Sequence, residues 1–110
     1  MKPVIWLGDS LARVRLFPAA ARRLSGYQLE QVQAGKEPWN WRAMPSIGLG
    51  VNEIRVRAAD AAFRLIYVVN FREAIYVLHA FQKKSRKTSR VDVDLARRRF
   101  RALIEERRRQ

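Results

Sequence analysis

Two β-rich runs joined by a short reversal constrain the fold of this chain more than any other feature. Phe63 to Phe71 and Ala74 to Phe81 are dense in Val, Ile, Tyr and Phe, and Asn70-Phe71-Arg72-Glu73 lies between them as a tight reversal. Side chains of this kind fit a pleated, half-buried surface, and so short a connection joins antiparallel neighbours. Just upstream, Asn52 to Arg57 alternates, with Ile54 and Val56 on one face and Glu53, Arg55 and Arg57 on the other. Ala58 to Ala61 forms a turn around Asp60. The expectation is a meander of three antiparallel strands.

The flanking segments read as helices, with one further strand. Val4 to Leu7 is a short apolar run closed by Gly8, which makes a first strand. Asp9 or Ser10 can cap a helix carrying Leu11, Val14 and Phe17, and Pro18 forces a break. From Ala19 to Ala34, Ala20, Ala21, Leu24, Tyr27 and Val32 share one helical face, with Arg22, Arg23 and Glu30 outside it and Gly35 as the stop. Trp39 to Val51, with Pro45, Gly48 and Gly50, holds no sustained period and reads as a long ordered loop. Ser89 and Asp92 form an S-x-x-D capping box. It opens a helix with the stripe Val93, Ala96, Phe100, Leu103 and Ile104, and Arg97, Arg98, Arg101, Arg107, Arg108 and Arg109 lie largely off that stripe.

The fold class is therefore α+β: a small, antiparallel-dominated sheet with an N-terminal helical pair and a C-terminal helix. At 110 residues, residues 1–110 are expected to form one domain. A hydrophobic fraction of 48% spread along the chain supplies a core despite 30% charged residues. The helices are expected to cover one sheet face and leave the other partly open, with Arg55, Arg57 and Arg64 on the open side.

Charge narrows the partners. Lys and Arg number 23 against 10 Asp and Glu, a formal net charge of +13. Such an excess attracts polyanions through counterion release, so nucleic acid leads, ahead of an anionic membrane or an acidic protein. No apolar run reaches the roughly 18 residues of a membrane span, and the N-terminal run is too short for a signal-peptide core. A cytoplasmic location, with no membrane partner, is expected. The chain has no Cys, which removes disulfides, thiolate metal sites and cysteine nucleophiles.

The chemistry left is cationic. There is a single histidine, His79, so a mechanism using two imidazoles is excluded. Gly48-Leu49-Gly50 lacks the Lys and the spacing of a phosphate loop. The carboxylates are too scattered for a metal site or a glycosidase pair, and no cofactor is implied. Arg55, Arg57, Arg64, Lys83, Lys84 and His79 remain. Attack of an RNA 2'-hydroxyl on the adjacent phosphate needs a base, an acid and charge stabilisation. Guanidinium groups clamp phosphate bidentately and stay charged, while a lysine crowded by cations can move protons near neutral pH.

Each residue also has an ordinary structural reading. Arg55 and Arg57 fit the solvated face of an alternating strand equally well. His79 alternates with Val77 and Phe81, which suits a hydrogen-bonded, half-buried sheet residue better than a catalyst. Lys83 and Lys84 can serve as edge protection. Trp39 and Trp41 offer stacking surfaces for bases, but packing over the helices is the better reading. The Arg-rich tail reads as a solvated helix face. Arg64 is different, because it interrupts the apolar run Phe63-Arg64-Leu65-Ile66-Tyr67-Val68-Val69, where a charge is unfavourable unless paired or facing an open site.

Several segments in order carry a resemblance: Ser10-Leu11 with Phe17-Pro18, Gly26-Tyr27-Gln28-Leu29, Trp41-Arg42-Ala43-Met44-Pro45, Gly50-Val51-Asn52-Glu53-Ile54-Arg55, Phe63-Arg64-Leu65-Ile66-Tyr67, and Val77-Leu78-His79-Ala80-Phe81-Gln82-Lys83-Lys84-Ser85. Together they resemble the HigB-like, phage-derived branch of the RelE/ParE toxin superfamily over nearly the whole chain. The resemblance implies the RelE-like fold and the toxin of a type II toxin-antitoxin pair. Such a toxin is an endoribonuclease that cleaves messenger RNA, commonly in the ribosomal decoding site, without metal or small-molecule cofactor. Its partners would be messenger RNA, the ribosome and a helix-turn-helix antitoxin whose gene follows the toxin gene. By position, Arg64 corresponds to the family's middle-strand arginine, and Lys83 and Lys84 to basic residues closing the next strand. With His79 these form the expected catalytic set, and Arg55, Arg57, Arg86 and Lys87 the RNA-binding set. The C-terminal tyrosine of some RelE toxins has no counterpart, since no Tyr follows Tyr76. A ParE-like inhibitor of DNA gyrase and a non-enzymatic RNA-binding protein are the alternatives. The FRLIY and QKKS segments favour the nuclease over both.

Overall fold

The β-rich runs and the alternating segment before them form the middle of a five-stranded sheet. The computed structural model describes residues 1–110. In chain order its elements are β1 (Val4–Trp6), α1 (Ser10–Arg15), α2 (Ala19–Gln33), β2 (Trp41–Ala43), β3 (Val51–Ala58), β4 (Ala61–Val68), β5 (Ile75–Lys83) and α3 (Arg90–Arg108). The strand order is β1-β5-β4-β3-β2. β1 runs parallel to β5 and every other pairing is antiparallel. The expected α+β architecture is thus the observed one. No helix is long and apolar enough to cross a membrane.

Two layers of side chains, one on each face of the sheet, make the core. Val14, Phe17, Ala21, Leu29 and Val32 pack on Ile54, Val56, Phe63, Leu65 and Tyr67 on one face. Ala96 and Leu103 of α3 cover Ile66, Val68, Tyr76 and Leu78 on the other, together with Met44 and Ile47. The expectation that the helices would share one face is therefore corrected: α1 and α2 lie on one side and α3 on the opposite side. Continuous apolar runs in β4 and β5 are the physical reason, because strands apolar on both faces need cover on both. α3 shields only part of its face.

Several local readings change. The stretch expected to be a loop contains β2, whose Arg42 stands opposite Glu53 of β3. Three residues carry no period of their own, and the pairing is imposed by the neighbouring strand. In α2 the buried positions are Ala21, Ser25, Gln28, Leu29 and Val32, whereas Tyr27 is exposed. The two polar members are buried because each is satisfied: Ser25 Oγ donates to the Ala21 carbonyl, and Gln28 Oε1 accepts the Trp39 N–H at 2.8 Å. Asp9 stands at the N-cap of α1 without bonding the helix backbone through its side chain. Its carboxylate is taken instead by Arg13 and by Arg99 of α3, and those two guanidiniums pull its pKa down to about 2. Arg99 also donates to the Leu78 carbonyl at 2.8 Å, which fastens α3 to β5. The Phe100 ring needs the bare backbone of Gly48, since a Cβ there would overlap the ring.

The β3–β4 reversal is a two-residue turn with φ positive at both Ala59 and Asp60, between the paired Ala58 and Ala61. That geometry matches the right-handed strand twist but suits Asn-Gly far better than residues with a full Cβ penalty. Replacing Ala59→Asn and Asp60→Gly together should therefore stabilise the protein by about 1 kcal/mol or more. The check is a rise in the midpoint of thermal unfolding relative to the native chain; an unchanged or lower midpoint would contradict the turn assignment.

Candidate functional site

Strand register places the cations. Arg55 of β3 stands directly opposite Arg64 of β4, and Ala62 of β4 opposite Lys83 of β5. Glu53, Arg55 and Arg57 share the α3-side face with Val51, while Ile54 and Val56 point to α1 and α2. The alternation expected for β3 is therefore present, but its outer face is not uniformly solvated: Glu53 is fully buried.

Around that carboxylate the arginines converge. Glu53 Oε1 lies 3.2 Å from Arg42 Nε, 3.6 Å from Arg55 Nε and 3.6 Å from Arg64 Nε. Glu53 Oε2 accepts a hydrogen bond from Thr88 Oγ1 at 3.3 Å, tying in the β5–α3 connection. Arg64 is the most buried of the three, its side chain 11% exposed, and its Nη1 donates to the Phe63 carbonyl. Burial pushes the Arg64 pKa below the usual arginine range, with Glu53 acting against that shift and Arg55 adding to it. Like charges directly opposite on a ladder destabilise a sheet, so the Arg55–Arg64 pairing depends on the carboxylate beside it.

Past this cluster, where α3 does not reach, the sheet opens into a groove of about 770 Å³. Arg57, Arg64, Lys83, Lys84 and Arg86 line it, with Asp60 as the one acidic member. Five of the eight residues singled out in the sequence are thus brought together. Arg55 joins through Glu53, and Lys87 lines a smaller adjoining hollow with Lys83 and Lys84. The Lys83 ammonium is pushed below its ordinary pKa, first by loss of solvent and then by the Arg64 charge, with Glu53 opposing. Anions are the ligands that such a groove suits. No three His, Asp or Glu side chains converge so as to hold a metal ion.

His79 is not part of the groove. It is 1% exposed and sits beneath the start of α3, with Nε2 2.7 Å from Asp92 Oδ1 and its ring stacked on Phe81. The expected alternation of His79 with both Val77 and Phe81 fails because the β4–β5 register shifts, Tyr67 pairing with Val77 and Ile66 with His79. The extra residue sends Val77 to the α1–α2 side and Phe81 to the α3 side. The capping box also forms: Ser89 Oγ accepts the Asp92 N–H at 3.1 Å, and its hydroxyl donates to the Asp92 carboxylate. His79 therefore anchors a helix start. Glu53, Arg42 and Thr88 are the members of the site that sequence reading missed. Their signal was a lone acidic residue on an otherwise basic strand face.

A small, basic α+β fold with an open arginine–lysine groove beside its sheet is the class that these features define. The family described as Phage derived protein Gp49-like (DUF891) matches residues 13–101, a span that includes every cation of the groove. The chain belongs to this Gp49-like family, which is known in toxin-antitoxin contexts. No curated protein compared with the chain matches it.

Desolvation lowers the His79 pKa from 6.5, and the Asp92 contact only partly offsets this. A folded-state pKa below the unfolded one means that the unfolded chain binds the proton more readily. The contribution is thus complete above about pH 6.5 and is lost as pH falls through the depressed value. The native protein should lose thermal stability between pH 7 and pH 5, and His79→Gln should flatten that slope while lowering stability at pH 7. Parallel slopes for the two proteins would show that His79 titrates alike folded and unfolded.

Proposed function

We propose that this protein is the toxin of a type II toxin-antitoxin pair, in the HigB-like branch of the RelE/ParE superfamily, and that it is a metal-independent endoribonuclease. Its substrate is messenger RNA, cut in the decoding site of the bacterial ribosome in the cytoplasm. The observation that carries this reading is the groove in which Arg64 and Lys83 meet, within a chain of net charge +13. Family membership supports it.

The groove supplies the parts that transesterification needs. The RNA 2'-oxygen attacks the adjacent phosphorus, the 2'-O–P bond forms and the P–O5' bond breaks, leaving a 2',3'-cyclic phosphate and a 5'-hydroxyl. One proton leaves the 2'-hydroxyl and one reaches the departing 5'-oxygen. Arg64 stabilises the charge that grows on the phosphorane oxygens, as a fixed donor whose own side chain is largely withdrawn from solvent. Lys83, with its depressed pKa, carries one of these two protons and Lys84, beside it in the groove, the other. Arg86, Lys87, Arg55 and Arg57 attract and align the phosphate backbone. His79 contributes by holding the start of α3 and the loop before it, without touching RNA.

Inducible expression in bacteria with mapping of messenger RNA 5' ends is the direct test. New ends inside translated reading frames should accompany growth arrest. Arg64→Ala should abolish toxicity, with a loss of roughly 10²- to 10³-fold in cleavage, the scale seen when one oxyanion-type donor is deleted. Arg64→Lys keeps the charge without the bidentate fork and should stay impaired. Cleavage by Arg64→Ala at the native rate would remove the groove from consideration. Intact messages with double-strand DNA breaks would assign the protein to gyrase poisoning, and binding without cleavage to RNA binding alone.

The partner follows from the same charge. An adjacent gene, downstream of this one, should encode a small helix-turn-helix antitoxin that restores growth on co-expression, associating quickly through electrostatic steering. Its association rate should fall steeply with added salt. A harmless chain with no such neighbour would contradict the toxin assignment.

A further inference from the structure

We infer that Glu53 is a positioning residue for Arg64: the buried carboxylate holds the guanidinium by its Nε edge and so keeps the remaining edge turned to the phosphate. This rests on the ribonuclease reading of the groove and assigns a role to a residue that does not line it.

The geometry is unusual for an ion pair that only stabilises a fold. Such a pair normally matches the two oxygens of a carboxylate to two N–H groups of one guanidinium. Here one oxygen, Oε1, faces three Nε atoms at 3.2, 3.6 and 3.6 Å. The other is occupied by Thr88, which fixes the carboxylate's rotation. With Nε drawn towards Glu53 and Nη1 donating to the Phe63 carbonyl, Nη2 is the Arg64 nitrogen that neither partner engages. Arg55 Nε and Arg64 Nε are buried and lie beyond hydrogen-bond distance of any partner, so both are oriented by charge and not by a tight directional bond. An orientation of that kind depends on the carboxylate being charged and correctly placed. One negative charge against three positive ones also leaves an excess of two in the cluster, which an RNA phosphate can take up.

A positioning role predicts a divided phenotype. Glu53→Gln keeps the shape and an acceptor for Thr88 but removes the charge, so it should bind a 2'-O-methyl RNA oligonucleotide at least as tightly as the native protein. Single-turnover cleavage of ribosome-bound message should fall by about 10²-fold, the scale of an ångström-sized misplacement. Glu53→Asp, which keeps the charge but withdraws the oxygens, should show the same division and carries the test if Glu53→Gln does not fold. In an Arg64→Ala background, either change should cause little further loss, because the effect runs through Arg64. Native cleavage rates in both variants, losses of binding that match the losses of rate, or losses that multiply with Arg64→Ala would each overturn the inference.

A readout that needs no cleavage separates this from the ribonuclease reading. The Arg64 Nε–H signal in NMR should be protected from solvent exchange in the native protein and lose protection in Glu53→Gln. Equal protection in the two proteins sinks the positioning role whatever the activity. Absence of cleavage by the native protein, with protection lost as expected, sinks the nuclease reading and leaves the coupling standing.

Discussion

Glu53 is the one acidic side chain fully removed from solvent, and the basic half of the sheet depends on it. Three guanidiniums drawn to one carboxylate would otherwise repel one another across adjacent strands. At an effective dielectric of about 20, opposite unit charges near 4 Å attract by about 4 kcal/mol, a gross figure from which desolvation must be subtracted. Burial keeps solvent and salt from screening the contacts on the carboxylate side, while the arginines reach outward. The result is a fixed cationic surface. Removing Glu53 from this set leaves the nearly buried Arg64 charge uncompensated, which is costlier than the pair itself is stabilising.

That cluster survives only because the sheet is covered unequally. α1 and α2 seal one face along a continuous apolar layer, but α3 covers only the half of the other face that carries Ile66, Val68, Tyr76 and Leu78. Arg99 fastens the middle of α3 to Leu78 and Asp9, and His79 fixes its start through Asp92. At the far end, Arg107 pairs with Glu73 and stacks over the Phe71 ring. With three fixings along one helix, the boundary between apolar cover and open groove is a property of the fold. Both edge strands, β1 and β2, are three residues long. Short edges offer little backbone for a foreign strand, which protects a sheet that must keep part of its face uncovered.

Alternation and β-forming composition made the meander legible in the sequence, and the break that Arg64 makes in an apolar run identified the groove's central cation. Arg64 stood out because it violates a local pattern. Glu53 did not, since an acid alternating with arginines on a strand face looks like ordinary solvated charge. Its burial follows from what three other segments bring to it: Arg42 from β2, Arg64 from β4 and Thr88 from the loop before α3. Arg42 and Arg64 lie eleven residues to either side of it in the chain, and Thr88 thirty-five residues on. β2 was illegible for a related reason, because its pairing belongs to β3. The face of His79 was misread for another: a single extra residue in β5 inverts every assignment beyond it, and a period of two gives no warning of where that residue falls.

The distribution of charge separates attraction from chemistry. Much of the arginine excess lies on α3, where Arg107 and Arg108 occupy the last turn and favour the negative end of the helix dipole. Arg97, Arg108 and Arg109 pair with acids three residues earlier on the same surface. Exposed pairs of this kind contribute little to stability and are screened within about 10 Å at 0.1 M salt. They raise the field that draws a polyanion in but do not orient it. The groove holds fewer cations, and these differ in kind: Arg64 is nearly buried, Lys83 is half-buried at the end of β5, and both are held by strands. A phosphate that reaches them exchanges water for fixed donors whose placement has already been imposed by the sheet, which is the condition under which electrostatic stabilisation of a reacting phosphate is strong. Net charge alone would be satisfied by scattering the same arginines over the surface. Register, burial and one shared carboxylate are what turn a few of them into a site.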